Sequence, residues 1–100
     1  MIKYALFARF EAKPGKEAAV ADFLQTGLAL AKQEPGTRYW FALRLSERVL
    51  GVFDAFETED ARQAHLNGPI AQALMAQAPE LFATPPGIEP IEVLGLKAGG

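Results

Sequence analysis

Two strand-like stretches joined by a very short connection constrain the fold of this chain more than any other feature. Residues 37–45 and 49–56 are rich in aromatic and β-branched side chains, and Ser46-Glu47-Arg48 separates them. A parallel pair would need a crossover of a dozen or more residues, so the two strands pair antiparallel as a hairpin. The rest of the fold must be arranged around this hairpin.

A strand and a helix precede the hairpin. Residues 2–10 alternate between a face that is apolar except for one tyrosine hydroxyl and a second, mixed face, which is the pattern of a strand in a sheet. After the turn Lys13-Pro14-Gly15, apolar residues recur at helical spacing over residues 20–31, and Pro35-Gly36 ends the helix. The first half of the chain therefore predicts strand, helix, strand.

Two short helices and a last strand follow the hairpin. Thr58 caps the first helix, and Asn67-Gly68-Pro69 separates it from a second helix that is predicted to reach about Gln77. A segment rich in proline then leads to a last strand at residues 88–97. The tail at residues 98–100 is predicted to fray.

The order strand, helix, strand, strand, helix, strand is that of the ferredoxin-like α+β class. We predict one domain over residues 1–100, with a four-stranded antiparallel sheet that carries its helices on one face. Alternate strand positions offer apolar residues to the other face: Phe7, Trp40, Val52, Ile91 and Val93. A second copy is the simplest cover for that face, which predicts a face-to-face homodimer forming a dimeric α+β barrel.

Composition argues against several classes of function. The formal net charge is -2, from 10 basic and 12 acidic residues with no run of Lys or Arg, so nucleic-acid binding is not expected. With no cysteine and one histidine, disulfides, thiol catalysis and the usual zinc sites are not expected either. No apolar stretch approaches the ~20 residues that span a membrane, so the sequence predicts a soluble, cytoplasmic protein.

Four short motifs, in order along the chain, resemble those of one known family. They are Lys13-Pro-Gly15 before the first helix, Glu34-Pro-Gly36 after it, Asp54-Ala-Phe56 closing the third strand, and Gln63-Ala-His-Leu-Asn-Gly68 at the end of the next helix. In this order and spacing the chain is similar to the antibiotic biosynthesis monooxygenase family, dimeric α+β barrels that include quinol monooxygenases. The resemblance implies oxidation of phenolic or quinol-like substrates by O2 without a metal or organic cofactor.

This chain differs from its relatives at several site positions, and these differences limit the chemistry that the resemblance implies. Haem-degrading relatives use an Asn in the first strand and a His in the second helical region, but Ala8 and residues 74–76 stand there, so haem is not expected. Many quinol-type relatives carry a second His shortly after the His-Leu pair, where this chain has Ile70. The expected chemistry therefore depends on one histidine, with no cofactor and no metal ion.

His65 is the predicted catalytic residue, because no other side chain has an ordinary pKa near neutrality. The resemblance implies that this position lines a cavity, and the small side chains of Ala61 and Ala64 on the same helix face leave room there. The alternative is a surface or helix-capping histidine, since His65 lies in the last turn of its helix. This place at a helix end also predicts that its loss changes the melting temperature little.

The predicted substrate-binding residues are side chains able to surround a planar ring: Tyr4, Leu6, Trp40, Phe41, Ala61 and Leu74. Tyr4 and Trp40 each carry a polar tip that can hydrogen-bond a substrate oxygen, although aromatic side chains more often belong to the core. Charged residues on strands, such as Asp54, are more often solvated or paired across an interface. We therefore leave Asp54 outside the predicted site.

The preferred hypothesis is a cofactor-free monooxygenase that oxidises a quinol or polyphenol, with a small aromatic molecule, O2 and a second copy of the chain as partners. His65, or a water that it holds, would take the phenol proton, while Trp40 and Tyr4 position the ring. The alternative to His65 is deprotonation by water or by another side chain such as Tyr4 or Asp54. Two other hypotheses stay open: a non-catalytic dimeric module that binds a small apolar molecule, and an isomerase of the wider dimeric barrel class.

Overall fold

A four-stranded antiparallel sheet with helices packed on one face forms the framework of the protein. The computed structural model describes residues 1–99. In chain order the elements are β1 (Tyr4–Glu11), α1 (Glu17–Ala31), β2 (Tyr39–Arg44), β3 (Val49–Phe56), α2 (Glu59–Leu66), α3 (Pro69–Leu81) and β4 (Gly87–Glu92). The strands are arranged β2-β3-β1-β4, which confirms the predicted ferredoxin-like class.

The predicted hairpin is the outer pair of this sheet. β2 and β3 pair antiparallel, and the Leu45 and Ser46 N–H groups both donate to the Val49 carbonyl, at 2.8 and 3.1 Å. β3 has the bounds that its sequence predicts, while β2 is somewhat shorter than residues 37–45. The tight connection enforces the antiparallel pairing from which the rest of the topology follows.

The core lies between the sheet and the helices. β1 and β3 pair so that Leu6 lies opposite Asp54 and Phe10 opposite Leu50, which puts these four side chains on the helix-covered face. The buried cluster comprises Phe10, Ala12, Val20, Leu24, Leu50, Val52, Leu74, Leu81 and Phe82. The rings of Phe10 and Phe82 stack at 5.1 Å, so β1 and the residue after α3 close one end of the core.

Trp40 and Val52 lie on the helix-covered face, and the prediction that they lie on the other face is wrong. Trp40 is directly opposite Asp54 in the sheet, and Val52 belongs to the buried core. β2 begins with consecutive aromatic residues and β3 with a continuous apolar run, so neither sequence alternates enough to distinguish its two faces. Only the pairing register shows which face each side chain lies on, and it puts Phe7 and Ile91 on the uncovered face.

The uncovered face carries a row of aromatic side chains beside the C-terminal segment. The rings of Tyr39, Phe41 and Phe53 follow one another at centroid distances of 6.3 and 6.4 Å. Together with residues 95–99 they line a hollow of about 380 Å³. Residues 98 and 99 of the tail that the sequence predicts to fray border this hollow and are exposed, and residue 100 is outside the described residues.

α3 continues past Pro79 to Leu81, so the predicted end near Gln77 is wrong. A proline inside a helix removes the hydrogen bond to the carbonyl four residues earlier, here that of Met75. Met75 is 62% exposed, so the proline lies one turn after a residue on the solvent side of the helix. Lys13 Nζ also donates to the Pro79 carbonyl oxygen at 2.6 Å, which helps to hold the last turn.

β4 is shorter than predicted, Gly87–Glu92 instead of residues 88–97. It is an edge strand whose one neighbour is β1, and its last residue already lies opposite Tyr4, where β1 begins. A further hydrogen bond of 2.7 Å, from the Val93 N–H to the Lys3 carbonyl, extends the contact by one residue. Beyond it the strand-like sequence has no partner strand. Within residues 1–99, no helix has the length and apolar character needed to cross a membrane.

Candidate functional site

α2 carries His65 into the interior of the protein. Thr58 caps the start of this helix, where its Oγ1 accepts a hydrogen bond from the Ala61 N–H at 3.1 Å. His65 follows in the last turn and is only 8% exposed, with its ring centroid 5.4 Å from that of Phe56. This burial excludes the surface interpretation of His65.

Each ring nitrogen of His65 faces a carboxylate. Nδ1 lies 2.7 Å from Glu34 Oε1, and Nε2 lies 2.9 Å from Asp54 Oδ2. Asp54 comes from the inner side of β3, while Glu34 lies in the loop after α1, where Thr37 Oγ1 donates to Glu34 Oε1 at 2.7 Å. Glu34, Asp54 and His65, which we call the acid–histidine cluster, leave neither ring nitrogen free for a substrate.

Burial and pairing act in opposite directions on the pKa values of this cluster. Burial alone lowers the pKa of His65, but the hydrogen bonds and charges of Asp54 and Glu34 outweigh it and raise the pKa above the ordinary 6.5. Burial raises the pKa of Asp54 above its ordinary 3.8, although the hydrogen bond and charge of His65 act to lower it. Both groups therefore hold their protons to higher pH than they do in water.

An apolar cavity of about 50 Å³, the inner cavity, lies beside the cluster between sheet and helices. Its walls include Leu6 and Leu74 together with the polar side chains of Trp40, Asp54 and His65. Two buried atoms here, Trp40 Nε1 and Asp54 Oδ1, make no hydrogen bond within the described chain. An unpaired buried polar group costs about 1–3 kcal/mol, so this donor and this acceptor need partners that the described chain does not supply.

The indole of Trp40 is held against α1 by a glycine. A Cβ at Gly27 would stand 3.2 and 3.3 Å from two ring carbons of Trp40, closer than side chains ordinarily pack. Because Gly27 has no side chain, the indole lies directly on the helix, with its N–H buried. Gly27 also lines the inner cavity, so this close approach fixes Trp40 beside it.

On the other side of His65, a groove of about 420 Å³ lies between α2 and the loop after α1. Glu34 and His65 both border this outer groove, together with small side chains such as Ala61. The Glu34 side chain is 21% exposed, whereas that of Asp54 is 4% exposed. The acid–histidine cluster thus runs from the buried cavity to the surface, and His65 borders both spaces.

The structure brings some of the predicted site residues together and separates others. Those that line the inner cavity are Leu6, Trp40, Leu74 and His65. Ala61 lines the outer groove instead. The ring of Tyr4 lies under the Arg62 guanidinium at 5.2 Å and borders neither space, and Phe41 lies on the uncovered face, 50% exposed.

Asp54 and Glu34 belong to the cluster but were not predicted as site residues. Asp54 does have a sequence signal, because it is the one charged residue in an otherwise apolar strand, and in the structure it lies on the inner face with Val52 and Phe56. An inward carboxylate in an apolar strand needs a partner. Glu34 has no comparable signal, since it follows a helix in a polar turn and meets His65 only through the tertiary fold.

The two carboxylates do not point at a common centre. They approach opposite nitrogens of the same ring, so the imidazole of His65 lies between them. Within residues 1–99, no three His, Cys, Asp or Glu side chains are arranged to hold a metal ion. The geometry of the cluster is that of a hydrogen-bonded chain.

Fold and site together define a ferredoxin-like α+β protein that encloses a small apolar cavity beside buried ionisable groups. The family model for antibiotic biosynthesis monooxygenases matches residues 3–77, and the chain belongs to that family. No curated protein matches the sequence. The expectation drawn from the sequence motifs is thereby confirmed at the level of the family.

Solved structures agree with this assignment. A protein of unknown function from Nitrosomonas europaea is 57% identical, with a TM-score of 0.96 over 100% of this chain and 97% of that chain. A candidate antibiotic biosynthesis monooxygenase from Caulobacter crescentus is 23% identical, with a TM-score of 0.81 over 94% of this chain and 92% of that one. A protein from Mycobacterium tuberculosis is 22% identical, with a TM-score of 0.84 over 96% and 99%. The last two are similar in fold.

Proposed function

We propose that the protein is a cofactor-free monooxygenase that transfers one atom of O2 to a quinol or polyphenol. Membership of the family supports the reaction class. The observation that carries the proposal is the pair of unpartnered polar atoms, Trp40 Nε1 and Asp54 Oδ1, at the apolar inner cavity. A phenolic hydroxyl satisfies both, because its oxygen accepts from the indole N–H and its proton is donated to the carboxylate.

Deprotonation is the step that the protein can assist most directly. Triplet O2 reacts slowly with closed-shell organic molecules, and a phenolate is a stronger electron donor than the phenol. In the proposed reaction the quinol supplies two electrons as it becomes a quinone. One oxygen atom replaces a ring hydrogen as a hydroxyl group, and the other leaves as water, so no external reductant is needed.

Asp54 is the residue that we assign as the proton acceptor. Its Oδ1 is unpaired while its Oδ2 contacts His65, and its raised pKa brings it closer to the acidity of a phenol. Trp40 would hold the substrate oxygen as charge develops on it. His65, which the sequence suggested as the base, would act through Asp54, because both its ring nitrogens are occupied.

The inner cavity is large enough for O2 but too small for a quinol ring. About 50 Å³ is enough for O2 or water. A benzene-sized ring needs a cavity of about 150 Å³, so quinol binding requires the walls to move apart. The wall formed by Leu66, Ile70 and Leu74 spans the break between α2 and α3, and we assign the movement to this wall.

Purified protein mixed with a panel of quinols and polyphenols is expected to consume O2 and to yield products that have gained oxygen. Asp54→Asn is expected to lower turnover by about 10²–10⁴-fold, the usual effect of removing a general base. Oxygen uptake and product mass are measured, with anaerobic samples as the blank. Glu47→Gln, which removes an exposed carboxylate in the hairpin, is the matched control and should leave turnover unchanged.

The same measurements separate the other hypotheses. Uptake no greater than buffer across the panel would contradict the monooxygenase assignment. Saturable binding of a phenol without turnover would favour a binding module, and conversion without a gain in mass would favour an isomerase.

The uncovered face is proposed to bind a second copy of the chain, which would make the protein a homodimer. Its aromatic row leaves Phe41 half exposed, and Leu96 in the adjoining C-terminal segment is 55% exposed. Light scattering at micromolar concentration is expected to give twice the chain mass for the wild type. Phe41→Glu should give monomer, while Met75→Glu, on an exposed position of α3, should not. A wild type that scatters as a monomer would rule the dimer out.

A further inference from the structure

We infer that Asp54, His65 and Glu34 form a proton relay, through which a proton released in the inner cavity leaves to the outer groove. This inference rests on the proposed function, because it describes where the substrate proton goes. Glu34 is the exit residue of the relay. It touches neither substrate nor O2, so we assign it a role in proton transfer through His65.

The contacts form an unbroken line between the two spaces. Asp54 lines the inner cavity with its Oδ1 buried and without a partner, and the same carboxylate contacts His65 Nε2 at 2.9 Å through Oδ2. Across the ring, His65 Nδ1 contacts Glu34 Oε1 at 2.7 Å. Exposure of the side chain rises from 4% at Asp54 to 21% at Glu34, so the line leads from the interior to water.

No other ionisable side chain offers a competing route at these two spaces. The described lining of the inner cavity contains Asp54 and His65 as its ionisable groups, and that of the outer groove contains Glu34 and His65. α1 and α3 contribute apolar or small residues to the cavity, including Leu24 from α1 and Ile70 from α3. A proton leaving the cavity therefore passes through His65.

The acid–histidine cluster holds the same number of protons at the start and at the end of one catalytic cycle. The two contacts of His65 hold one proton each, with the ring as imidazolium between two carboxylates. Asp54 Oδ1 takes the phenol proton, the ring passes its Nδ1 proton to Glu34, and Glu34 releases that proton to water in the outer groove. The cluster again holds two protons, now with Asp54 protonated and His65 neutral. When the second oxygen atom leaves as water, Asp54 Oδ1 gives its proton to that oxygen. His65 Nδ1 then regains a proton from the outer groove through Glu34, which restores the imidazolium.

The relay accounts for two features that a purely structural ion pair leaves unexplained. A buried imidazole needs one hydrogen-bond acceptor to fix its orientation, but His65 has two carboxylates. Thr37 Oγ1 also donates to the same Glu34 oxygen that contacts His65, which holds that oxygen in place for transfer. An Asp–His pair alone would end in the interior, with no outlet for the proton.

Glu34→Gln tests the relay, since glutamine keeps the shape and the hydrogen bond but cannot carry the proton. Turnover is expected to fall about 10²-fold, the lower end for a positioned proton-transfer group, and to recover when imidazole is added as a small diffusible base. The outer groove, at about 420 Å³, has room for imidazole next to His65. Glu47→Gln is the matched control and should show neither the loss nor the recovery.

A second measurement does not depend on turnover. His65 is the chain's single histidine, so its ring signals in a nitrogen-15 NMR spectrum need no assignment. Exchange of the ring protons with water should slow in Glu34→Gln and recover with imidazole. Exchange that is unchanged, or slowed but not restored by imidazole, overturns the relay. Ring-proton exchange that depends on Glu34, without any O2 uptake, would support the relay and refute the proposed function. O2 uptake that does not depend on Glu34 would support the proposed function and refute the relay.

Discussion

His65→Ala is expected to lower the free energy of unfolding by about 3–5 kcal/mol, because it leaves two carboxylates near each other without the cation between them. Asp54 is 3% exposed, so bulk water cannot replace the contact with His65 that it loses. Turnover is also expected to fall about 10²–10⁴-fold, since the cluster would lose the imidazolium that gives up its Nδ1 proton as Asp54 takes the phenol proton. A position at a helix end suggested little change in melting temperature; burial of the ring reverses that expectation.

Chemical denaturation of the wild type and of His65→Ala measures this effect. Asn67→Ala, beside His65 but exposed at the end of α2, is the matched control and should change stability by less than about 1 kcal/mol. A loss for His65→Ala that is no larger than that of the control would mean that the cluster does not stabilise the fold.

The stability of the wild type should also depend on pH with a definite sign. Folding raises the pKa of His65 above 6.5, so the folded state binds this proton more tightly than the unfolded chain. That stabilisation is fully present below pH 6.5 and is lost as the pH rises through the folded-state pKa. Asp54, whose pKa is raised from 3.8, acts in the same direction at lower pH. Denaturation curves in which stability rose above pH 6.5 would contradict the pairing.

Phe56→Ala is the second change with a large expected effect, a loss of about 3–5 kcal/mol in the free energy of unfolding. Phe56 is 0% exposed, is among the largest fully buried side chains, and packs against the His65 ring. Its removal opens a cavity under α2 and loosens the support of the cluster. Met75→Ala, at a position 62% exposed, is the matched control and should change stability by less than about 1 kcal/mol. A Phe56→Ala loss under about 1 kcal/mol would show that the core can close over the gap.

The parts of the fold that could be predicted from sequence are those with strong local signals. The short hairpin connection, the Thr58 cap and the glycine and proline breaks each act over a few residues, and the elements that they bound were found. The errors fall where a distant partner decides the outcome. β4 stops where β1 begins, and the last turn of α3, past Pro79, is held by Lys13 from a distant part of the chain.

Only part of the candidate site could be predicted from sequence, for the same reason. His65 stands out by composition alone, and Leu6, Trp40 and Leu74 stand out as apolar or aromatic residues able to surround a ring. The cluster around His65 is a property of the folded chain, since Glu34 lies 31 positions before His65 in the sequence and contacts it only after folding. Tyr4 and Phe41 resemble good ring-binding residues in sequence, but neither lines the inner cavity. Tyr4 shares the helix-covered face with Leu6 and lies at the start of β1 under Arg62, whereas the register of β2 puts Phe41 on the uncovered face.

Gly27 sets a limit on how far this protein can be made resistant to heat by improving its helices. Alanine in the middle of a helix is favoured over glycine by about 0.5–1 kcal/mol, so Gly27 is an obvious target for such engineering. The added methyl group would stand 3.2 Å from the Trp40 ring, and the indole would have to shift to accept it. Thermal robustness and recognition of the substrate oxygen would then compete at one position, a trade-off between stability and activity that an engineer would have to resolve in favour of one or the other.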